Sequence, residues 1–286
     1  MAQNWADNVA EELIDKAIMQ TGLCLILGAS DTGKTTLAAA LAKRLAANGP
    51  IGIVDADIGQ SHIGPPATVG WAIADDRQSD FSQLPVAGIS FVGDVTPVGH
   101  LLQLTAAISQ CVEQASKVSE LIIIDTPGFI SSPAASALWW TVQRVLNPKL
   151  ILAVQRENEL SNILAGLRHF DSHLELFNCP PQIKTKSPEE RRNYRQKQFN
   201  KYFQNSTIYN INTGDIAIQT SGDLSRTVPL SRIVGLRNRE GIDVAIGIIK
   251  DWHIDKNIAV IRAPQIYIQE ICCLVIGDVT VDITDR

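Results

Sequence analysis

The sequence has no apolar run long enough to span a membrane. Runs such as Leu23–Leu27 and Ile271–Ile276 are short, whereas a membrane-spanning helix needs about 18 apolar residues. The first residues are acidic at Asp7, Glu11 and Glu12 and lack the basic and apolar pattern of a signal peptide. We therefore expect a cytoplasmic protein that does not enter a membrane.

Cysteine is scarce and shows no pairing pattern. The five cysteines stand at positions 24, 111, 179, 272 and 273, and no two are spaced as C-x-x-C. This odd number without metal-ligand spacing favours reduced thiols over disulfides or a metal site. The five histidines likewise show no metal-ligand spacing tied to a carboxylate cluster.

A strong excess of positive charge is also lacking. The net charge of −5 does not by itself indicate nucleic-acid binding. The charge is uneven, however, because residues 182–204 hold seven Lys or Arg against two Glu. A basic segment on an acidic chain is therefore the feature to explain.

Buried strands alternate with helical patterns over the first 205 residues. Helices are expected over residues 5–20, 36–48, 97–117 and 157–168, and residues 60–86 are expected to be irregular. The pattern predicts an α/β fold, a doubly wound parallel sheet that binds ligands at the carboxyl ends of its strands. The expected strands are Leu23–Leu27, Ile51–Val54, Ile89–Val92, Leu121–Ile124, Leu150–Val154 and Leu174–Phe177.

The character of the sequence changes near residue 206. Short Ile- and Val-rich runs follow, separated by turn signals such as Asn212–Asp215. We predict two domains, an α/β domain over residues 1–205 and a small all-β domain over residues 206–286.

Residues 28–35 read Gly-Ala-Ser-Asp-Thr-Gly-Lys-Thr and fit the P-loop pattern G-x-x-x-x-G-K-[ST]. An apolar run precedes the pattern and a helix is expected after it. Lys34 should reach the β- and γ-phosphates of ATP, and the Thr35 hydroxyl should ligate Mg²⁺. The predicted nucleotide-binding residues are Gly28, Ser30, Asp31, Thr32, Gly33, Lys34, Thr35 and Thr36.

Three acids follow predicted strands and could face the phosphates. Asp125 ends the apolar run Leu121–Ile124, the usual setting of the acid that holds Mg²⁺ directly or through water. Asp55 and Asp57 follow the second strand, and an acid there could take the proton of an attacking hydroxyl.

A helix is predicted within the basic segment, because Ser187–Glu190 forms a capping box with proline at the first helical position. Arg191 and Arg195 lie four residues apart on one face, and Phe199 and Phe203 continue that stripe. Two adjacent guanidinium groups suit a transferring phosphoryl group, as in a kinase lid over about residues 182–204. A solvated surface helix is the alternative.

Together these segments resemble the polynucleotide 5′-hydroxyl kinases, which include a eukaryotic tRNA-splicing and pre-mRNA cleavage kinase, nucleolar rRNA-processing kinases and short archaeal RNA kinases. The resemblance spans most of the chain. Similar to that family are the P-loop with its acid, the R-x-x-x-R pair, and the segments Asp57–Gln60, Pro65–Pro66, Gly93–Pro97 and Leu152–Leu160.

The resemblance implies transfer of the γ-phosphate of ATP to the 5′-hydroxyl end of single-stranded or end-exposed RNA or DNA. It implies that Asp57 activates this hydroxyl and helps Thr35 and Asp125 to hold Mg²⁺. The terminal nucleotide would contact Gln60, Thr126 and Phe129, although the family often has Asn before the Thr and Gly-Trp after it. The implied catalytic residues are Lys34, Asp57, Arg191 and Arg195.

Other functions stay open at this stage. Asp125–Gly128 also fits the D-x-x-G switch of a regulatory GTPase or metallochaperone, although Val154–Glu157 stands where such proteins read guanine. A catalytically silent ATP-binding scaffold and a small-molecule kinase are further alternatives. The preferred strand type, the oligomeric state and the adenine reader also stay open, with Gln155 and Arg156 as candidates for the last.

Overall fold

The computed structural model describes residues 2–15, 22–75, 80–220 and 229–283. Within these ranges the chain forms six α-helices and thirteen β-strands, and none of these helices has the length and apolarity needed to cross a membrane. The helices are α1 (Ala2–Asp15), α2 (Lys34–Leu45), α3 (Leu101–Ser116), α4 (Pro133–Leu146), α5 (Ser161–Leu167) and α6 (Pro188–Tyr202). The strands are β1 (Gly22–Gly28), β2 (Ile51–Asp55), β3 (Thr68–Ala74), β4 (Gly88–Phe91), β5 (Leu121–Asp125), β6 (Leu150–Gln155), β7 (His173–Asn178), β8 (Thr207–Asn212), β9 (Ala217–Gln219), β10 (Arg232–Asn238), β11 (Asp243–His253), β12 (Ile258–Ala263) and β13 (Ile271–Thr280).

A single sheet runs through the described chain. Its strand order is β7-β6-β1-β5-β2-β3-β4-β11-β10-β13-β9, with β12 beside β11 and β8 beside β12. The first five strands in this order are parallel, and β3 and β4 continue the sheet as antiparallel neighbours. The predicted α/β fold with a parallel sheet is confirmed.

Helices cover both faces of the parallel strands, because these strands are apolar on both sides. Leu13 of α1 and Leu41 of α2 are buried on one face. On the other face, Leu104 of α3, Trp139 of α4 and Ile163 of α5 are buried. This arrangement leaves the carboxyl ends of β1, β2 and β5 at one edge of the sheet, where the P-loop begins.

The C-terminal strands extend this sheet. Strand β11 pairs with β4 where Asp243 lies opposite Ile89. The buried carboxylate of Asp243 accepts a hydrogen bond from the Phe91 backbone N–H at 2.7 Å and another from Arg237 at 2.9 Å. The domain boundary near residue 205 stays a prediction, while these contacts join the strands on its two sides.

Helix α6 lies against the C-terminal strands. Its capping box is present, with the Ser187 hydroxyl and the Glu190 carboxylate each accepting the other residue's backbone N–H. Phe199 and Phe203 are 3% and 0% exposed in a cluster that includes Ile246 of β11. The second half of α6 is therefore anchored, while its first half extends toward the P-loop.

The expectation that residues 60–86 are irregular was wrong, because β3 lies within them. Gly70 interrupts the apolar pattern of this strand for a packing reason, since a Cβ there would lie 1.9 Å from the Ile63 carbonyl oxygen. Helix α3 also begins at Leu101 and not at Pro97. The Asp94 carboxylate accepts the backbone N–H groups of two following residues and forms a turn before the helix.

Other helix boundaries also differ from those expected. Helix α5 begins at Ser161, later than expected, because the Glu159 carboxylate holds the preceding backbone N–H groups of Arg156 and Glu157 in a turn. Helix α4 was not predicted, and its fully buried Trp139 packs in the core. The predicted helix over residues 5–20 is observed as α1 up to Asp15, and its last five residues lie outside the described ranges.

Replacing Phe203 by alanine should lower the free energy of unfolding by about 3–5 kcal/mol, because a fully buried aromatic ring leaves a cavity between α6 and the sheet. Tyr267→Ala is the matched control, since that ring is 71% exposed. Chemical denaturation of both variants measures the difference, and similar stabilities would contradict the anchoring of α6.

Candidate functional site

The P-loop connects β1 to α2 at the edge of the sheet. Gly28 is required there, since a Cβ would lie 2.4 Å from the Val154 carbonyl oxygen. Asp31 and Gly33 adopt left-handed backbone conformations, with φ of +57° and +93°. No side chain caps the start of α2 in the described structure, so its first backbone N–H groups can bind an anion.

Lys34 lies beneath the loop and is 5% exposed. Its Nζ donates a hydrogen bond to the Ala29 carbonyl oxygen at 2.7 Å. Burial lowers the pKa of Lys34, while the charges of Asp125, Asp57 and Asp31 act in the opposite direction. The ammonium group therefore lies among acids, within the loop that would receive phosphates.

Asp125 ends β5 beside this lysine and is 1% exposed. Its Oδ2 accepts a hydrogen bond from the Thr35 hydroxyl at 2.5 Å. Its Oδ1 is buried without a hydrogen-bond partner in the described structure. Burial and the Asp55 charge raise the pKa of Asp125 to about 7. A hydroxyl and an unpaired carboxylate oxygen at this place fit a Mg²⁺ ion, which prefers oxygen ligands.

Asp55 and Asp57 have different surroundings. The fully buried Asp55 carboxylate accepts the backbone N–H groups of Asp57, His62 and Ile63 at 3.1, 2.6 and 3.0 Å. Burial raises the pKa of Asp55 to about 7, although these hydrogen bonds act in the opposite direction. Asp55 thus organises the segment after β2, which leaves Asp57 as the acid that faces the open site.

Two cavities meet at Asp57 and Gln60. We call them the P-loop cavity, of about 260 Å³, and the second cavity, of about 210 Å³. The P-loop cavity is lined by residues 31–36 together with Asp57, Gln60, His62, Ile183, Lys184 and Lys186. The second cavity is lined by Ser30, Asp57, Gly59, Gln60, Val95, Thr96, Pro97, Pro127, Gly128, Phe129, Arg191 and Arg195.

Two of the three arginines of α6, Arg191 and Arg195, line the second cavity. Arg191 forms an ion pair with Asp31 of the P-loop, with Nη2 2.6 Å from Oδ2. The Nε of Arg191 is buried without a partner in the described structure. Burial, Arg191 and Arg192 lower the pKa of Arg195, so the positive charges of this helix are close together. Asp31 therefore holds one of two clustered arginines beside the P-loop.

The three residues expected to contact a terminal nucleotide have different positions. Gln60 borders both cavities, and its Oε1 accepts a hydrogen bond from Lys186 at 2.9 Å. Phe129 borders the second cavity. Thr126 is not among the lining residues, because its buried hydroxyl donates to the Ile26 carbonyl oxygen at 2.6 Å. The structure thus brings together Gln60 and Phe129 and leaves Thr126 buried just after β5, with its hydroxyl bonded to β1.

Neither candidate for the adenine reader lines the P-loop cavity. Gln155 is 7% exposed at the end of β6. The Arg156 guanidinium donates to the carbonyl oxygens of Ser30 and Asp31 at 3.4 and 2.5 Å, so it braces the P-loop.

Sequence reasoning missed several lining residues. His62, Ile183, Lys184 and Lys186 border the P-loop cavity without belonging to a motif. The excess of lysine and arginine over residues 182–204 was the one available signal for the two lysines.

The family model described as mRNA cleavage and polyadenylation factor CLP1 P-loop matches residues 28–205. Polyribonucleotide 5′-hydroxyl-kinases of Pyrococcus horikoshii and Pyrococcus abyssi are 34% and 36% identical to the chain over 211 and 195 residues. These matches cover 73% and 68% of this chain but 57% and 54% of the relatives. The chain thus spans about half the length of the curated relatives it matches.

A chain of the wild-type Clp1p–Pcf11p (454–563) complex has a similar fold. The TM-score is 0.71 at 13% sequence identity, and the alignment covers 97% of this chain and 79% of that chain. The similarity therefore includes the C-terminal strands, which lie beyond the residues that the family model matches.

Gly128→Ala should abolish ATP binding, because a Cβ at this position would lie 2.2 Å from the backbone nitrogen of Ser30 and displace the P-loop. Gly214→Ala is the control, since the nearest atom to its Cβ would be a side-chain oxygen 3.3 Å away. Calorimetric titration with ATP measures the effect. Equal ATP affinities for the two variants would contradict the close packing of Gly128 on the P-loop.

Proposed function

The chain belongs to the CLP1 P-loop family, and from this premise we propose that it transfers the γ-phosphate of ATP to the 5′-hydroxyl end of a polynucleotide. The observation that carries the proposal is the meeting of two cavities at Asp57. The P-loop cavity lies along the P-loop, whereas the second cavity is lined by Arg191, Arg195 and the ring of Phe129. The names of the similar archaeal proteins favour RNA as the acceptor, with DNA as the alternative.

The P-loop cavity would bind the triphosphate of ATP. Backbone N–H groups at the start of α2 would donate to its phosphate oxygens, and Lys34 would leave the Ala29 carbonyl oxygen to contact the β- and γ-phosphates. Thr35, Asp57 and Asp125 would hold Mg²⁺, which offsets the charge of the phosphates. Asp57 and Asp125 bring two carboxyl groups to the one ammonium group of Lys34, which leaves oxygen ligands for a cation.

Asp57 would accept the proton of the 5′-hydroxyl as it attacks the γ-phosphate. Its Oδ1 accepts the backbone N–H groups of Gly59 and Gln60 at 3.1 and 3.0 Å, which orients the carboxylate. The position of Asp57 between the two cavities supports this role. The bond from the hydroxyl oxygen to phosphorus forms as the bond to the β-phosphate oxygen breaks, and ADP leaves.

Arg191 and Arg195 would stabilise the charge on the phosphoryl group during transfer. Arg191 is held by Asp31 beside the P-loop, so a short movement of its side chain would bring it to the γ-phosphate. The anchored second half of α6 supports a lid that closes through its first half. Charge on this helix would also attract the polynucleotide backbone.

The second cavity would bind the terminal nucleotide. The Phe129 ring can stack on a base, an interaction worth about 1–3 kcal/mol. Gln60 could contact the same nucleotide, while Thr126 would act by holding the backbone that leads to Phe129.

All five cysteines are free, which supports our expectation of a cytoplasmic protein.

Lys34→Ala and Asp57→Asn should each lower phosphate transfer to a 5′-hydroxyl RNA oligonucleotide by about a hundredfold or more. Lys43→Ala is the control, because this lysine of α2 is exposed and outside both cavities. The assay follows labelled γ-phosphate of ATP on matched RNA and DNA oligonucleotides. Transfer that persists in either site variant contradicts the proposed site, and transfer to a free nucleoside without gain from longer acceptors indicates a small-molecule kinase.

Arg195→Ala should lower kcat by about a hundredfold or more while ATP still binds, because the guanidinium acts on charge that develops during transfer. Arg192→Ala is the control, since this arginine lies on the same helix and does not line either cavity. Steady-state kinetics with saturating acceptor, together with ATP titration, measures both effects. Equal kcat values in the two variants would exclude α6 as a catalytic lid.

A further inference from the structure

One wall of the second cavity comes from an irregular segment. Residues 93–100, here called the acceptor loop, connect β4 to α3, and residues 95–97 of this loop line the cavity. The hydrogen bonds from Val95 and Thr96 to the Asp94 carboxylate are local, at 2.5 and 3.1 Å. A binding wall without regular structure needs support from neighbouring elements to hold a substrate in one position.

Strand β13 supports this loop through its backbone. The N–H of Asp278 donates to the Gly93 carbonyl oxygen at 2.8 Å. A Cβ at Gly277 would lie 2.6 Å from the same oxygen, so glycine allows the two backbones to meet. Gly93 itself has a φ of +99°, a conformation that favours glycine. The start of the acceptor loop is therefore attached to the C-terminal strands.

His100 attaches the end of the loop to the same strand. Its Nδ1 lies 3.2 Å from the Val98 carbonyl oxygen, and its Nε2 lies 3.1 Å from Oδ2 of Asp278. Each ring nitrogen of His100 thus lies within hydrogen-bonding distance of an acceptor oxygen, so the ring is held from two sides. Nη1 of Arg232 donates a hydrogen bond to Oδ1 of Asp278 at 3.4 Å. A carboxylate oxygen of Asp94 lies within 4.8 Å of a ring nitrogen of His100 and of a carboxylate oxygen of Asp278. The His100 side chain is 15% exposed, so this contact is partly shielded from water.

We propose that His100 and Asp278 are positioning residues for the polynucleotide acceptor. Through this pair, β13 holds the acceptor loop as a wall against the entering 5′ end. The proposal rests on the proposed function and assigns the C-terminal strands a part in acceptor binding. Neither residue lines the P-loop cavity, so ATP binding should not depend on the pair.

His100→Ala and Asp278→Ala should each raise the KM for a 5′-hydroxyl RNA oligonucleotide about fivefold, while kcat and the KM for ATP stay near the wild-type values. Asp278→Asn keeps an acceptor oxygen toward His100 and should restore part of the affinity. The double variant His100→Ala/Asp278→Ala should show little loss beyond that of Asp278→Ala, since this single change already removes the contact with His100. Thermal unfolding of each variant shows whether the fold is retained.

The matched control is His253→Ala, because His253 pairs with Asp251 at 3.6 Å elsewhere on the C-terminal strands. This control should leave the acceptor KM unchanged. If the unsubstituted chain transfers phosphate and the His100 and Asp278 variants keep its acceptor KM, the positioning role alone is overturned. A rise in the KM for both substrates, or the same rise in the control, overturns it as well. If the unsubstituted chain transfers no phosphate, the proposed function is overturned and the positioning role with it.

Discussion

The site depends on one buried ammonium group among carboxylates. Lys34 lies beneath the P-loop with the charges of Asp125, Asp57 and Asp31 around it. Asp55 is also close, and burial raises its pKa and that of Asp125, so both carboxyl groups hold their protons more tightly than exposed acids do. A cation bound beside these acids would favour their ionised forms. Arg191 already lies against Asp31, and the oxygen of Asp125 that has no partner in the described structure would suit a divalent ion.

Helix α6 connects this charged site to the rest of the fold. Phe199 and Phe203 are buried against the C-terminal strands, and the Tyr202 hydroxyl accepts the Ile246 backbone N–H at 3.0 Å. Arg191 lies two helical turns before Phe199, on the part of the helix that projects over the P-loop. Burying the aromatic end therefore sets the direction in which the arginines point. Helix α6 and the C-terminal strands are therefore packed together in this arrangement.

The nucleotide-binding part of the site could be predicted from the sequence because its residues are close together in the chain. The P-loop lies within eight residues, and the Ser187–Glu190 capping box and the aromatic stripe of α6 follow short-range helix rules. The strand pattern indicated that Asp55 or Asp57 could take the proton of an attacking hydroxyl, and it did not distinguish the two acids. Strand alternation does not reveal that Asp55 turns inward to hold the backbone N–H groups of His62 and Ile63.

The contacts that position the site could not be predicted, because they join residues far apart in the chain. Asp31 and Arg191 are 160 residues apart, and Phe91 and Asp243 are 152 residues apart. Considered alone, Asp31 could be an acidic residue in a turn, and Arg191 could be an exposed arginine on a surface helix. Their significance comes from the sheet, which places β4 beside β11 and the start of α6 over the P-loop. Local motifs thus identify the groups that could react, whereas long-range packing determines whether these groups face one another.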